Sequence, residues 1–534
     1  MKKFASLVLA LMLVLLVCVP ALASREENSI VYNLGAEPPQ MYSIKVTDIT
    51  GFQLIRHLYT GLLELNQDDM PVPRVAESYT VSEDGLVYTF KLRDDAKWWD
   101  GVPVTAHDFY YAWTELLNPQ NACSYAQMAY CIKNAEAYFK GQAPKEELGL
   151  KVVDELTFEV TLEYPVAYFP YLAAFGVFMP QRQDVVEQYG EAYGTDADKI
   201  MGNGAYKLTE WQHEDHITMV KNDQYFDKDN IAIDKLVGRI VKDNNTAYAM
   251  FETGELDIVN LTGTTSLLAE QSGYEVLQYS DGSTYYLQMN CEEGPTANPN
   301  IRKALGLSIN RESFVNNILR DHSRPALTFT NVDIKDNEGK SFSENIAVDY
   351  QDADIEKARE YWNKGLEELG MTAEEAAQAI TLIADDSDLA KEDAAAFQEY
   401  WKAALGVEIP VENMPVKSRV QRMQDREYSV VSTGWGPDYA DPATFLEVML
   451  SDSGNNYSGW SNERYDELVN GAKGETDLNK RMDMLIEAEN ILISEMPIAP
   501  LYFRMCDYTV ADGLQGVHRS AFQDYCFKWA SWAE

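Results

Sequence analysis

Asp438 and Asp441 stand three residues apart in TGWGPDYADP (433–442), among two glycines, two prolines, a tryptophan and a tyrosine. Two carboxylates so placed suit two kinds of chemistry. One is glycoside hydrolysis, with one group as acid and the other as base. The other is the capture of a cation, above all an amine, through a charge-assisted hydrogen bond. Stretches this dense in turn formers seldom form the interior of a helix or strand, and they hold side chains at a fixed place. Hydrolysis also needs convergent geometry, which a spacing of three in an acidic chain does not supply.

Other clusters are weaker. His213-Glu214-Asp215-His216 has metal-ligating types, but it separates two strand-like runs, AYKLTEW and ITMVKN, and reads as a solvated hairpin tip. DDSDLAKED (385–393) has carboxylates at calcium-like spacing without the turn glycine of an EF-hand loop. It reads as the acidic start of a helix, where negative charge suits the dipole. No GxSxG, HExxH, Walker loop or dinucleotide-binding glycine pattern occurs. The sequence therefore points to neither a metal site nor an active site.

The elements that must position these residues belong to a large secreted chain. Its 534 residues exceed one compact core and imply two or three domains. Lys2 and Lys3, an apolar run from Phe4 to Val19 and the small-residue site Ala21-Leu22-Ala23 make residues 1–23 a secretory signal peptide. Cys18 raises the alternative of a lipid anchor, which is not favoured because Val17 is not small. A net charge of −41 repels nucleic acid and favours solubility. Cys123, Cys131, Cys291, Cys506 and Cys526 remain after cleavage. Their odd number and scatter are neither a disulfide framework nor a zinc site. Cys123 with Cys131, or Cys506 with Cys526, could pair, and buried thiols explain them equally well.

LVYTFKLR (86–93) and LTFEVTLE (156–163) alternate apolar and polar residues, as half-buried strands do. Further on, ITLIA (380–384), a helix over about 391–405 ending at Gly406, and a strand VEIPV (407–411) form a strand–helix–strand unit of a parallel sheet. Helices are also expected over 354–369, stopped by Gly370, and over 476–494.

Four stretches together resemble the extracellular solute-binding proteins of ABC importers, in particular the peptide/nickel group called family 5. They are 76–113, from AESYTVSEDG to HDFYYAW; NGAYKLTEW (203–211) with FETGELDIV (251–259); NIRKALGLSINRESFV (300–315); and GWGPDYADPATFL (434–446). They keep the family's order, and the nearest likeness is to its oligopeptide-binding members. The resemblance implies an α/β fold of the type II periplasmic-binding-protein kind, with two lobes, hinge strands and an extra domain. Lobe I would comprise 24–59, 189–286 and 506–534, the extra α+β domain 60–188, and lobe II 287–505.

It implies a function as well: a monomeric, non-enzymatic receptor that captures peptides by hinge closure and delivers them to membrane permease subunits, with no cofactor, metal or nucleic acid. A nickel chelate or sugar ligand, a peptide-sensing role and, in another class, a secreted hydrolase stay open as alternatives. Asp438 matches the carboxylate that holds a peptide's α-amino group. Ser432, Gly434 and Gly436 match the strand that pairs with the peptide, and Trp435 matches a pocket wall. Thr47, Asp48 and Ile49 match the segment along its other edge, and Tyr125 a tyrosine of the cleft. The best-known members have an arginine where this chain has Ser432, and another near Met423, beside Arg422 and Arg426.

Overall fold

The two alternating runs form antiparallel strands, Val87–Leu92 and Thr157–Thr161. Ala76–Val81 and Leu150–Asp154 flank them in a four-stranded sheet. The inward residues Phe90, Phe158 and Val160 are fully buried. Helix Ala106–Leu116 covers them, and its Trp113 meets Phe158 edge-on at 5.4 Å. These coordinates are a computed structural model that describes residues 28–533. The leader expected over 1–23, with Cys18, lies outside the described residues.

Among the described residues a second sheet has 11 strands. One wing holds Val411–Met414, Leu382–Asp385 and Val430–Trp435, with Leu382–Asp385 parallel to both neighbours. The other holds Ile258–Leu261, Ser29–Asn33, Lys235–Arg239, His216–Lys221 and Tyr206–Gln212, in that order. Two strands of 13 residues, Leu277–Met289 and Ile498–Val510, run antiparallel between the wings and belong to both. Their pairing is broken twice, at Tyr285/Tyr286, where Leu501 is skipped, and more widely at a bulge beyond Ser280. Ser280 faces Met505 and Thr284 faces Phe503, so 281–283 stand opposite residue 504 alone.

Burial follows the same division. One core runs from Ile30 through the four-stranded sheet to Leu236, completed by Tyr525 and Phe527 near the C-terminus. A second lies between Tyr286 and Tyr502. Each contains dozens of buried side chains, and burying a large aliphatic or aromatic one is worth about 1.5–3 kcal/mol before conformational entropy is counted.

The helices follow their caps. Asp388–Leu405 starts behind Ser387, which accepts the Ala390 N–H, and ends at left-handed Gly406. Ile355–Leu369 stops at Gly370, and Leu478–Glu495 starts behind Asp477. One expectation fails by four residues: the strand placed at 407–411 begins at Val411. Pro410 has no N–H to give, its carbonyl accepts Leu382 N–H at 2.9 Å, and regular pairing starts after it. The five cysteines beyond the leader are all free thiols, with Cys123, Cys131 and Cys526 buried. At the hairpin tip His213 contacts Glu37 at 2.5 Å and Asp196 at 3.2 Å, and among the described residues no cluster could hold a metal.

Candidate ligand-binding cleft

The strand Val430–Trp435 pairs along one edge with the crossing strand over its whole length, from Met289↔Val430 to Thr284↔Trp435. Its other edge meets Leu382–Asp385 only at Val430 and Val431. From Ser432 onward that outer edge has no strand beside it among the described residues. Ser432, Gly434 and Gly436 instead line a cavity of about 1080 Å³. An open edge lining a cavity this size can receive one more extended chain.

Beyond Trp435 the chain turns, and its side chains fix the turn. The Trp435 indole N–H donates to the Thr444 carbonyl at 2.9 Å, and Thr444 Oγ1 accepts the Asp438 N–H at 3.0 Å. Tyr439 stacks on Tyr168 with ring centroids 4.4 Å apart and planes 9° from parallel. Asp441 is buried and takes both arms of Arg481 at 2.8 Å, while its Oδ1 also accepts Ala443 N–H. The turn is therefore rigid, and Asp441 is committed to it.

Asp438 is not so committed. Among the described residues no hydrogen bond or ion pair engages its carboxylate. It borders two cavities at once, one of about 230 Å³ and one of about 310 Å³. Solvent reaches it inside the cleft, yet the surrounding protein displaces enough water to push its pKa above the usual carboxylate value. A carboxylate partly dehydrated and lacking a partner is a ready acceptor for a charged amine.

The sequence-expected residues gather unevenly around this point. Tyr125 borders both cavities that Asp438 borders, and burial, then the Asp438 charge, raises its phenol pKa. Its ring meets Phe52 edge-on at 5.5 Å. Trp435 walls the 310 Å³ cavity. Ile49 is 75% exposed and lines the 230 Å³ cavity. Asp48 is extended, but its carboxylate caps helix Ile49–Leu58 by accepting Gly51 N–H at 2.8 Å. Thr47 is exposed and lines none of the three cavities.

Two cations escaped sequence reasoning. Beside Ser432, Arg419 reaches in from helix Val416–Gln424, 3.4 Å from the Ser432 carbonyl and 2.6 Å from Asp385. Arg504, on the other crossing strand, faces the same cavity with Asp281 at 3.3 Å and Tyr285 Oη at 3.2 Å. No local pattern marks either residue, because sheet pairing and a helix crossing bring them there. Arg422 and Arg426 bind Glu412 and Glu292, each at 2.6 Å, and line none of these cavities.

Residues 70–457 match the family described as bacterial extracellular solute-binding proteins, family 5 middle. The chain belongs to this family. The family 5 protein is 34% identical over 500 residues to the oligopeptide-binding protein OppA of Bacillus subtilis (strain 168), covering 92% of this chain and 91% of that one. It superimposes on the substrate-binding domain of an oligopeptide ABC transporter from Bacillus anthracis with a TM-score of 0.76 and 35% identity, over 95% of this chain and 99% of that one. Listeria monocytogenes OppA, solved bound to peptide, gives a TM-score of 0.76 and 31% identity over the same shares of the two chains. The fold of this family 5 protein is thus the type II periplasmic-binding-protein fold. It is a binding protein and not an enzyme, in agreement with an Asp441 already taken up by Arg481. Its family is extracellular, and no helix among the described residues is long and apolar enough to cross a membrane.

Proposed function

We propose that this protein captures peptides and delivers them to the permease of an ABC importer. The observation that carries this reading is the partnerless Asp438 carboxylate at the end of an open strand edge. A peptide brings complements to both, an ammonium group at one end and a main chain with regularly spaced N–H and C=O groups. Its α-amino group sits on Asp438, and its main chain lies along Ser432–Gly436. Thr47 to Ile49 flank it, Trp435 and Tyr125 wall its side chains, and its carboxylate end runs toward Arg419 and Arg504. Main-chain pairing of this kind is indifferent to side chains.

In the same reading, residues 24–59, 189–286 and 506–534 form one lobe, 287–505 the other, and 60–188 a third domain. A ligand that touches both lobes binds the closed form better and so draws the protein closed. The chain acts as a monomer, freed by cleavage after Ala23 and without a lipid on Cys18.

Native mass spectrometry of the mature protein, purified gently from a peptide-rich medium, tests this against Asp438→Ala. Peptide adducts on the native chain that vanish or weaken in the variant support both capture and anchor. Adducts equal in both leave Asp438 a turn residue. A native chain free of peptide sinks the reading.

A further inference from the structure

The 230 Å³ cavity beside Asp438 is smaller than the roughly 300–1,000 Å³ of sites that take a whole ligand. It has room for one side chain. Its wall is aromatic, with Phe52, Tyr125 and Phe175 packed on one another at 5.0 to 5.7 Å. Into this wall helix Ile49–Leu58 sends Gln53 and Arg56, which share a helix face at a spacing of three.

Both side chains have unused donors. Arg56 makes no hydrogen bond or ion pair among the described residues. Gln53 is 4% exposed, and its side-chain amide nitrogen has no partner among the described residues. The anions nearest Arg56 are already engaged. Glu64 is 2.5 Å from Lys528 and 3.4 Å from Arg74, and Asp524 is 2.5 Å from Arg519. Asp69 accepts from Ser520 and Gln523. Burial among these side chains also lowers the guanidinium pKa from its ordinary value. Arg56 is half-buried and its free donors are open to the solvent of the cavity, where their fork matches a carboxylate.

We propose that this cavity receives the ligand's first side chain and prefers an acidic one, its carboxylate held by Arg56 with the Gln53 amide as second donor. The inference rests on the amine anchor at Asp438, which places the first residue at the cavity mouth. Glu64 and Asp524 also line this cavity, but each is held by a cation of its own, which leaves Arg56 as the lining charge without a partner among the described residues besides Asp438.

The test uses the isosteric peptides Glu-Ala-Ala-Ala and Gln-Ala-Ala-Ala, titrated calorimetrically into the mature protein. The glutamate peptide should bind about tenfold tighter, as a charge-assisted fork outweighs a neutral contact. Arg56→Gln should bring the ratio of the two affinities to about one, and Arg56→Lys, which keeps charge but not the fork, to an intermediate value. Equal affinities in the native protein, or a ratio that survives Arg56→Gln, overturn the inference while leaving peptide capture intact. Because the first comparison needs no variant, it decides even if Arg56→Gln does not fold. A native protein that binds neither peptide overturns capture, and this inference with it.

Discussion

Asp441 and Arg481 form a two-armed ion pair, each terminal guanidinium nitrogen 2.8 Å from a carboxylate oxygen, with side-chain exposures of 10% and 2%. Three residues earlier, the Asp438 carboxylate has no hydrogen-bond or ion-pair partner among the described residues. The same residue type thus does structural work at one position and is left free at the other. Removing one member of a buried pair strands the other charge, at a cost of about 3–5 kcal/mol. Asp441→Ala should therefore lower stability by that order in urea unfolding. Asp438→Asn should cost little or nothing in the same assay and lose ligand binding. Equal destabilisation by the two changes contradicts the division of labour.

Asp438 also sets a pH dependence. Its pKa in the folded protein is raised by burial, so between the unfolded and folded values the native state holds a proton that the unfolded state has lost. Stability falls as pH rises through that interval. An ammonium ligand prefers the ionised form, so peptide affinity should fall as pH drops through the raised pKa, with protons released on binding near it. Calorimetry in buffers of different ionisation enthalpy checks this, and Asp438→Asn should abolish the proton release.

Asp393 lines the large cavity, and burial, then Asp321 and Glu392, push its pKa up to about 7. The sign is the same, and the window runs from about pH 4 to about pH 7. The native protein should lose a few kcal/mol, to order of magnitude, across this window, the loss being complete above it. Asp393→Asn should remove most of that slope and stabilise the protein at neutral pH. A denaturation series at pH 4, 5.5 and 7.5 reads the difference.

The open edge at Ser432–Gly436 makes a prediction about the ligand. N-methylation of a main-chain amide that pairs with this edge should weaken binding about tenfold or more. Swapping neutral side chains further along the peptide should change it much less. Competition against a fluorescent peptide gives both numbers, and the reverse order would rule out main-chain recognition.

Much of this architecture was legible in the chain. Period-two alternation placed Val87–Leu92 and Thr157–Thr161 within a residue or two, because each strand buries one face and wets the other. Gly370 and Gly406 marked helix ends because each takes the left-handed conformation there. Four segments in family order carried the fold. Other features were out of reach. The commitment of Asp441 depends on Arg481, 40 residues away, and the roles of Arg419 and Arg504 depend on sheet order and a helix crossing. Spacing also could not tell that Asp48 would cap a helix where Asp438 would cap nothing.

The bulge at 281–283 ties the two ends of the molecule's work together. At Gly282 the backbone is left-handed, and an added Cβ would fall 2.7 Å from both Pro437 Cγ and the Ala521 Cβ. Pro437 directly precedes Asp438, Asp438 and Ala521 border the same small cavity, and Gly282 lies in a strand shared by both wings. Gly282→Ala, expected to cost more than about 1 kcal/mol, should therefore disturb binding and folding together. The spot where the crossing strand bulges is packed directly against the turn that carries Asp438, so a backbone shift at Gly282 would displace the Asp438 carboxylate as well.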